Sequence, residues 1–193
     1  MSAAERKKSF EELYREIQQL PDGSRGEILT PGELHVMGRP GRRHRRAAQN
    51  LFDLLGGIDR ARRGTGWWIE VEAEVRLGEL LFDPDLTGWR VDRVPELPDE
   101  NPIEICPDWA CEVLSPRTAV TDMRVKLPRC IEAGVAHVWI VYPEVHLIQV
   151  FAPKDARPML IASASAEEAI RLPPFDLDLD VRQLWIGPPP DKG

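Results

Sequence analysis

The period of apolar and polar positions changes several times along the chain, and each change predicts a new element. Ser9-Phe10-Glu11-Glu12-Leu13 opens a helix, with Ser9 as N-cap and Glu12 three residues on completing a capping box. Leu20-Pro21-Asp22-Gly23 should end it. RGEILT and ELHVMG, joined by a Pro31-Gly32 turn, read as a hairpin. His44, Ala48, Leu51 and Leu55 then recur at helical spacing, with Arg42, Arg45, Arg46, Gln49 and Asp53 on the other side, so an amphipathic helix is expected up to Gly56-Gly57. WWIEVEAEVRL alternates and predicts one half-buried strand, with Ile69, Val71, Ala73, Val75 and Leu77 inward. LLFDPDL follows as a second strand after Gly78-Glu79.

Residues 92–108 hold four prolines and several acids without periodicity, which reads as a loop with room to move. Beyond it come a strand from Trp109 to Leu114, a helix from about Ala119 to Ala133, and a buried strand in VAHVWIVY. EVHLIQVFAP pairs with that last strand through a Pro143-Glu144 turn. The tail is expected as further short strands between Pro-Pro turns, closing with a short helical or irregular piece at Val181 to Trp185. This order is a mixed α+β layout.

With 193 residues, 42% of them apolar, the chain is expected to form a single domain over 1–193. No apolar run approaches the ~20 residues of a membrane-spanning helix. The charged, amphipathic start is unlike a signal sequence, so a cytoplasmic protein without a membrane partner is expected. Three cysteines without Cys-x-x-Cys spacing suggest neither a disulfide framework nor a zinc ribbon. The net charge of −7 is unevenly spread: residues 39–63 carry eight arginines against Asp53 and Asp59. That places a basic face on an acidic body, readable either as a solvated helix face or as a phosphate-contacting one.

Three acids occupy positions where apolar residues are expected: Glu27 in the first strand, Asp85 at the end of LLFDPDL, and Glu112 inside WACEVL. A carboxylate in a core strand needs a compensating partner. Acids on neighbouring strands can surround a hard divalent cation. Lys126 follows Glu112 by 14 positions, on a helix that can fold back across the strand. There it would hold an attacking water or neutralise charge on a phosphate. Ordinary readings stand beside these. Asp122 and Lys126 form an i, i+4 pair of the surface kind, and Asp85 fits turn chemistry. Glu33 competes with Glu27, His44 reads as a core histidine or one lining a site, and Trp67-Trp68 as packing rather than base stacking. Cys111 should face away from Glu112.

The residues Pro84-Asp85, Pro107-Asp108-Trp109-Ala110-Cys111-Glu112-Val113-Leu114-Ser115-Pro116-Arg117-Thr118, Asp122, Lys126, Ala133-Gly134-Val135 and Val138-Trp139-Ile140-Val141 together resemble the Uma2 family of endonucleases. That family lies within the PD-(D/E)XK nuclease-like superfamily. Gly26-Glu27-Ile28-Leu29, Gly32-Glu33-Leu34 and Arg43-His44 extend the resemblance over roughly residues 10–152. The resemblance implies a restriction-endonuclease-like core, a central mixed sheet flanked by helices, and hydrolysis of nucleic-acid phosphodiesters, DNA above all, with Mg²⁺ or Mn²⁺. Asp85 and Glu112 would hold the metal, Glu27 would complete the site, and Lys126 would replace the lysine that Glu112-Val113-Leu114 lacks. Arg42, Arg43, His44, Arg45 and Arg46 would contact the nucleic acid, and a homodimer is an arrangement such enzymes use. Pro128 is expected to bend the helix and shift Lys126. Cys130 stands where an aromatic is usual and Tyr142 where an Asp is usual. The alternative is a catalytically relaxed nucleic-acid- or protein-binding module on the same scaffold.

Overall fold

A computed structural model describes residues 6–60, 66–165 and 169–187. Helix α1 (Phe10–Ile17) starts with the expected capping box: Ser9 Oγ accepts from the Glu12 amide and Glu12 Oε2 accepts from the Ser9 amide. Its apolar face, Phe10, Leu13 and Ile17, packs with Ile28 and Leu81. The hairpin forms as β1 (Arg25–Thr30) and β2 (Glu33–Met37), and α2 (Arg42–Leu55) ends at Gly56. Helix α2 buries Ala47, Leu51 and Leu55.

WWIEVEAEVRL is two strands rather than one. It breaks after β3 (Trp67–Val71) at Glu72, whose φ of 53° lies in the left-handed region, and resumes as β4 (Val75–Leu77). Alternation continues on either side of the break, so periodicity could not reveal it; one residue with positive φ redirects the chain into another sheet. β5 (Leu80–Phe82) then pairs with β4, and after Asp83-Pro84 the chain crosses back as β6 (Leu86–Arg90), a strand the hydrophobic pattern did not separate from LLFDPDL.

Two sheets result, in the orders β2-β1-β5-β4 and β10-β9-β8-β7-β6-β3. In the larger sheet β7 (Trp109–Val113) runs parallel to β8 (His137–Tyr142), whereas β9 (Leu147–Lys154) and β10 (Arg157–Ala164) pair antiparallel. A parallel pair needs a crossover. Residues 119–132 supply it as α3, whose central segment, Asp122–Lys126, is a π-helix.

β7 is buried on both faces. Trp109, Cys111 and Val113 meet α2 and Trp139 on one side, whereas Ala110 shares the other side with Leu127, Cys130 and Ile131 of α3. Alternation therefore turns Glu112 away from Cys111 and toward α3, as expected.

The tail is more deeply built in than its Pro-Pro turns suggested. Beyond the long strand β10, Leu172, Phe175, Leu179, Val181 and Leu184 are buried in the main core, and Val181–Leu184 is a 3₁₀ turn. The Phe175 ring packs edge-on against Trp67, Trp109 and Trp139 at 4.9, 4.9 and 5.3 Å. The loop 92–108 is likewise tethered: Val94 and Ile103 are buried, the Trp68 and Trp89 indoles donate to the carbonyls of Val94 and Ile105, and Ile103 bridges to Val75. Both members of Trp67-Trp68 thus serve packing.

Replacing Phe175 by Ala empties the space between three indoles. It should lower stability by about 3–5 kcal/mol, read from urea unfolding followed by tryptophan fluorescence.

Candidate active site

Strands β1 and β7 meet α3 at one buried lysine, Lys126. Glu27 is fully buried on β1, whose neighbouring Gly26 lets α1 lie against the strand; a Cβ at Gly26 would stand 2.5 Å from Ile17 Cγ1. Glu27 Oε1 accepts from the Asp83 amide at 2.9 Å and faces Lys126 Nζ at 2.8 Å. Glu112, from β7, places Oε1 2.7 Å from the same ammonium. Asp85, at the β5–β6 corner, accepts at Oδ2 from the Val113 amide at 2.8 Å and lies 3.0 Å from His44 Nε2 on α2. The hydrogen bond to Val113 ties the corner to the strand that carries Glu112.

Arg25 stands above these acids. It pairs with Glu72, and its Nε and Nη1 lie 3.7 Å from Asp83 and 3.8 Å from Asp85. A cleft of about 730 Å³ has Asp83, Asp85, Glu112, Asp122 and Lys126 in its floor. Arg25, Arg39, Arg42, Arg43 and Arg117 line it as well.

Burial holds the Glu112 carboxyl well above the usual carboxylate range, against the pull of Lys126. Burial alone would lower the Lys126 pKa, but the carboxylates of Glu112, Glu27 and Asp122 more than reverse this. Lys126 therefore stays charged among several acids, and Glu112 is an acid of the group readily able to take up a further proton. Asp122 is also raised by burial, opposed by Lys126 and by a hydrogen bond from Thr118.

The structure separates the sequence-derived candidates. Glu27, Asp85, Glu112 and Lys126 come together, whereas Glu33 is exposed on β2. Asp122 and Lys126 are not a solvated surface pair, because both are buried and Lys126 is turned inward. Asp85 is more than a turn residue, since it bonds β7. Pro128 does not displace Lys126: the helix is widened just before the proline, where the Leu127 amide donates to the Asp122 carbonyl five residues back. A proline ring presses on the carbonyl four residues earlier, and a widened turn gives it room. Of the basic segment, Arg42, Arg43 and His44 reach the cleft. Arg45 does not line it and instead donates to the Pro40 carbonyl, and Arg46 is exposed away from it. His44 meets Asp85 rather than solvent.

Three residues went unselected although their spacing carried a signal. Arg25 is two positions from Glu27 on one strand, which puts both on one face. Asp83 is two positions before Asp85, and Arg117 follows Glu112 in the loop that closes the cleft.

The oxygen-rich donor set suits a hard divalent cation, and Glu27 Oε2 and Asp83 Oδ1 are buried without a hydrogen-bond partner. Among the described residues, however, no group of three or more His, Cys, Asp or Glu side chains is spaced as a ready metal cage. Mg²⁺ is commonly held by one or two carboxylates, with water and substrate phosphate completing its shell. The donors here fit that sparse mode.

Two outcomes test these electrostatics. Lys126→Met strips the counter-ion from buried carboxylates and should cost about 3–5 kcal/mol near neutral pH. The loss should shrink as pH falls and Glu112 takes up a proton, which urea unfolding across a pH series would show. Burial pushes the Asp83 carboxyl up to about 6 from 3.8, with Arg25 opposing. The folded state then binds that proton more tightly than the unfolded chain, so this contribution is full at low pH and is lost as pH rises through about 6. Asp83→Asn should flatten that decline, worth on the order of 3 kcal/mol, in thermal unfolding across the range.

Comparison with known proteins puts this geometry in context. No curated protein matches the chain. The crystal structure of a "putative nuclease belonging to DUF820" from Anabaena variabilis superposes with a TM-score of 0.69 at 20% identity, covering 88% of this chain and 95% of that one. At that identity the likeness is one of fold, and it bears out the mixed α+β architecture. The model of Uma2, described as "Putative restriction endonuclease", matches residues 10–182. That reaches past residue 152, through β10 and into the 3₁₀ turn, which agrees with a tail built into the core. A match running from the first turn of α1 to that final turn spans the elements that assemble the site, and the chain belongs to the Uma2 family.

Proposed function

We propose that the protein is a metal-dependent endonuclease that hydrolyses phosphodiester bonds of nucleic acid, DNA above all. The observation that carries this reading is the convergence of Asp85, Glu112 and Lys126 at the floor of a cleft also lined by arginines, with the buried Glu27 paired to Lys126. Such a floor is acidic enough to attract a cation, and the arginines suit the phosphates on either side of a scissile bond.

In this reading Asp85 and Glu112 hold Mg²⁺ or Mn²⁺. Such an ion, when bound, supplies a Lewis acid for the phosphoryl oxygen and lowers the pKa of a coordinated water. The chain's own groups do the rest. The Val113 amide and His44 fix the rotamer of Asp85 from opposite elements. Glu27, fully buried, holds Lys126 from below and keeps its ammonium beside Glu112. The Lys126 ammonium then either positions the attacking water or offsets the charge that builds on the phosphate. Arg39, Arg42, Arg43 and Arg117 contact phosphates and so seat a strand without reading its bases.

A second reading is favoured by one observation: Lys126 already pairs with two of the acids. A cluster neutralised in this way would suit a binding module in which catalysis has lapsed. Metal separates the two readings, because an ion bound only by the folded state raises stability by about 2.7 kcal/mol at a hundredfold excess over Kd.

The decisive assay is cleavage of supercoiled plasmid and of single-stranded DNA. Wild type should cut with Mg²⁺ or Mn²⁺ and not with EDTA, and should melt higher with the metal. Glu112→Gln, which leaves Lys126 its Glu27 partner, should lower the rate about 10²-fold or more. A wild type that neither cuts nor gains stability with metal would sink the enzymatic reading.

A further inference from the structure

Besides Arg25 on β1, the arginines that line the cleft come from two connections. Arg39, Arg42 and Arg43 belong to the β2–α2 connection and the first turn of α2, and Arg117 to the loop between β7 and α3. The exposed acid of the lining is Glu144, in the β8–β9 turn, and its Oε2 accepts from Arg43 Nη1 at 2.7 Å. The partners are 101 residues apart, so this is no by-product of helical spacing. It ties α2 to a turn of the large sheet at the edge of the cleft.

Both side chains are about half exposed, at 54% and 51%. Exposed pairs of this kind contribute little to stability. The first turn of α2 contains no acid and its N-cap, Gly41, makes no side-chain capping bond, so its own helix offers Arg43 no nearby anion. A guanidinium donates in a planar fork that suits carboxylate and phosphate alike. Glu144 thus occupies donors that the proposed substrate would use.

We propose that Glu144 is a built-in competitor for the backbone phosphates of the nucleic acid, holding Arg43 until a strand displaces it. The inference rests on the nuclease reading of the cleft. A lone phosphate or a mononucleotide meets Glu144 one anion against another. A strand that reaches Arg39, Arg42 and Arg117 together gains several contacts for the one it must break. Glu144 therefore biases the cleft toward polymeric substrate.

The test is fluorescence anisotropy of a short labelled DNA oligonucleotide, single-stranded and duplex, with the full chain in Ca²⁺. Glu144→Gln should bind the oligonucleotide roughly two- to fivefold tighter, the range an exposed ion pair can return. Its melting temperature should stay at the wild-type value. Arg43→Gln should bind more weakly than wild type, and adding Glu144→Gln to it should restore nothing, because the two substitutions act through one contact. If wild type binds and Glu144→Gln does not tighten it, or tightens it equally in the Arg43→Gln background, the competitor role is lost and the nuclease reading stands. If none of the proteins binds DNA, both readings fall.

Discussion

Everything at the site hangs on a charged lysine with almost no access to water. Lys126 is 1% exposed and lies within 2.8 Å of Glu27 and Glu112. A buried ammonium is tolerable only with carboxylates around it, and buried carboxylates are tolerable only with such a cation or a metal. The arrangement is therefore mutually dependent. β1, β7 and α3 must all be in place before any one of these charges is affordable, which gives the fold a strong reason to keep one register of α3 against β7.

The two sheets make that register possible. The chain leaves the large sheet at Glu72, builds the edge of the small one, and returns through Asp83-Pro84-Asp85. Both crossings meet at the acids: the Glu72 amide donates to the Asp85 carbonyl at 3.2 Å, and Arg25 spans the Glu72, Asp83 and Asp85 carboxylates. The corner where the strands change sheets is thus also the corner that supplies carboxylates, and the Val113 amide locks it to the central strand.

Much of this was legible in the sequence, and the misses share a cause. The capping box at Ser9, the hairpin at Pro31-Gly32 and the buried strands around Glu112 and Trp139 follow from local chemistry and period. Glu112 announced itself because a carboxylate amid Trp109, Ala110, Cys111 and Val113 requires a compensating partner. What could not be read is non-local. Alternation persists through Glu72, so the break in WWIEVEAEVRL leaves no mark in the pattern. Whether Asp122 and Lys126 face water or the core depends on what covers α3. Arg25 and Asp83 were visible only as neighbours of stronger candidates, and their place at the site depends on the return of β5 beside β1.

The π-helical turn in α3 carries a consequence for the evolution of the domain. The turn itself carries Asp122 and Lys126, both buried, with Lys126 paired to Glu27 and Glu112; downstream of it the helix presents Leu127, Cys130 and Ile131 to the hydrophobic core. A regular α-helix advances about 100° per residue, so a single-residue deletion within Asp122–Lys126 would rotate one of those faces away from its partner. Exposed side chains of α3 can change, but a one-residue change of length in this turn cannot keep both the core contact and the charged lysine in place. Length at this turn is thus fixed by two partners at once, the core and the acids.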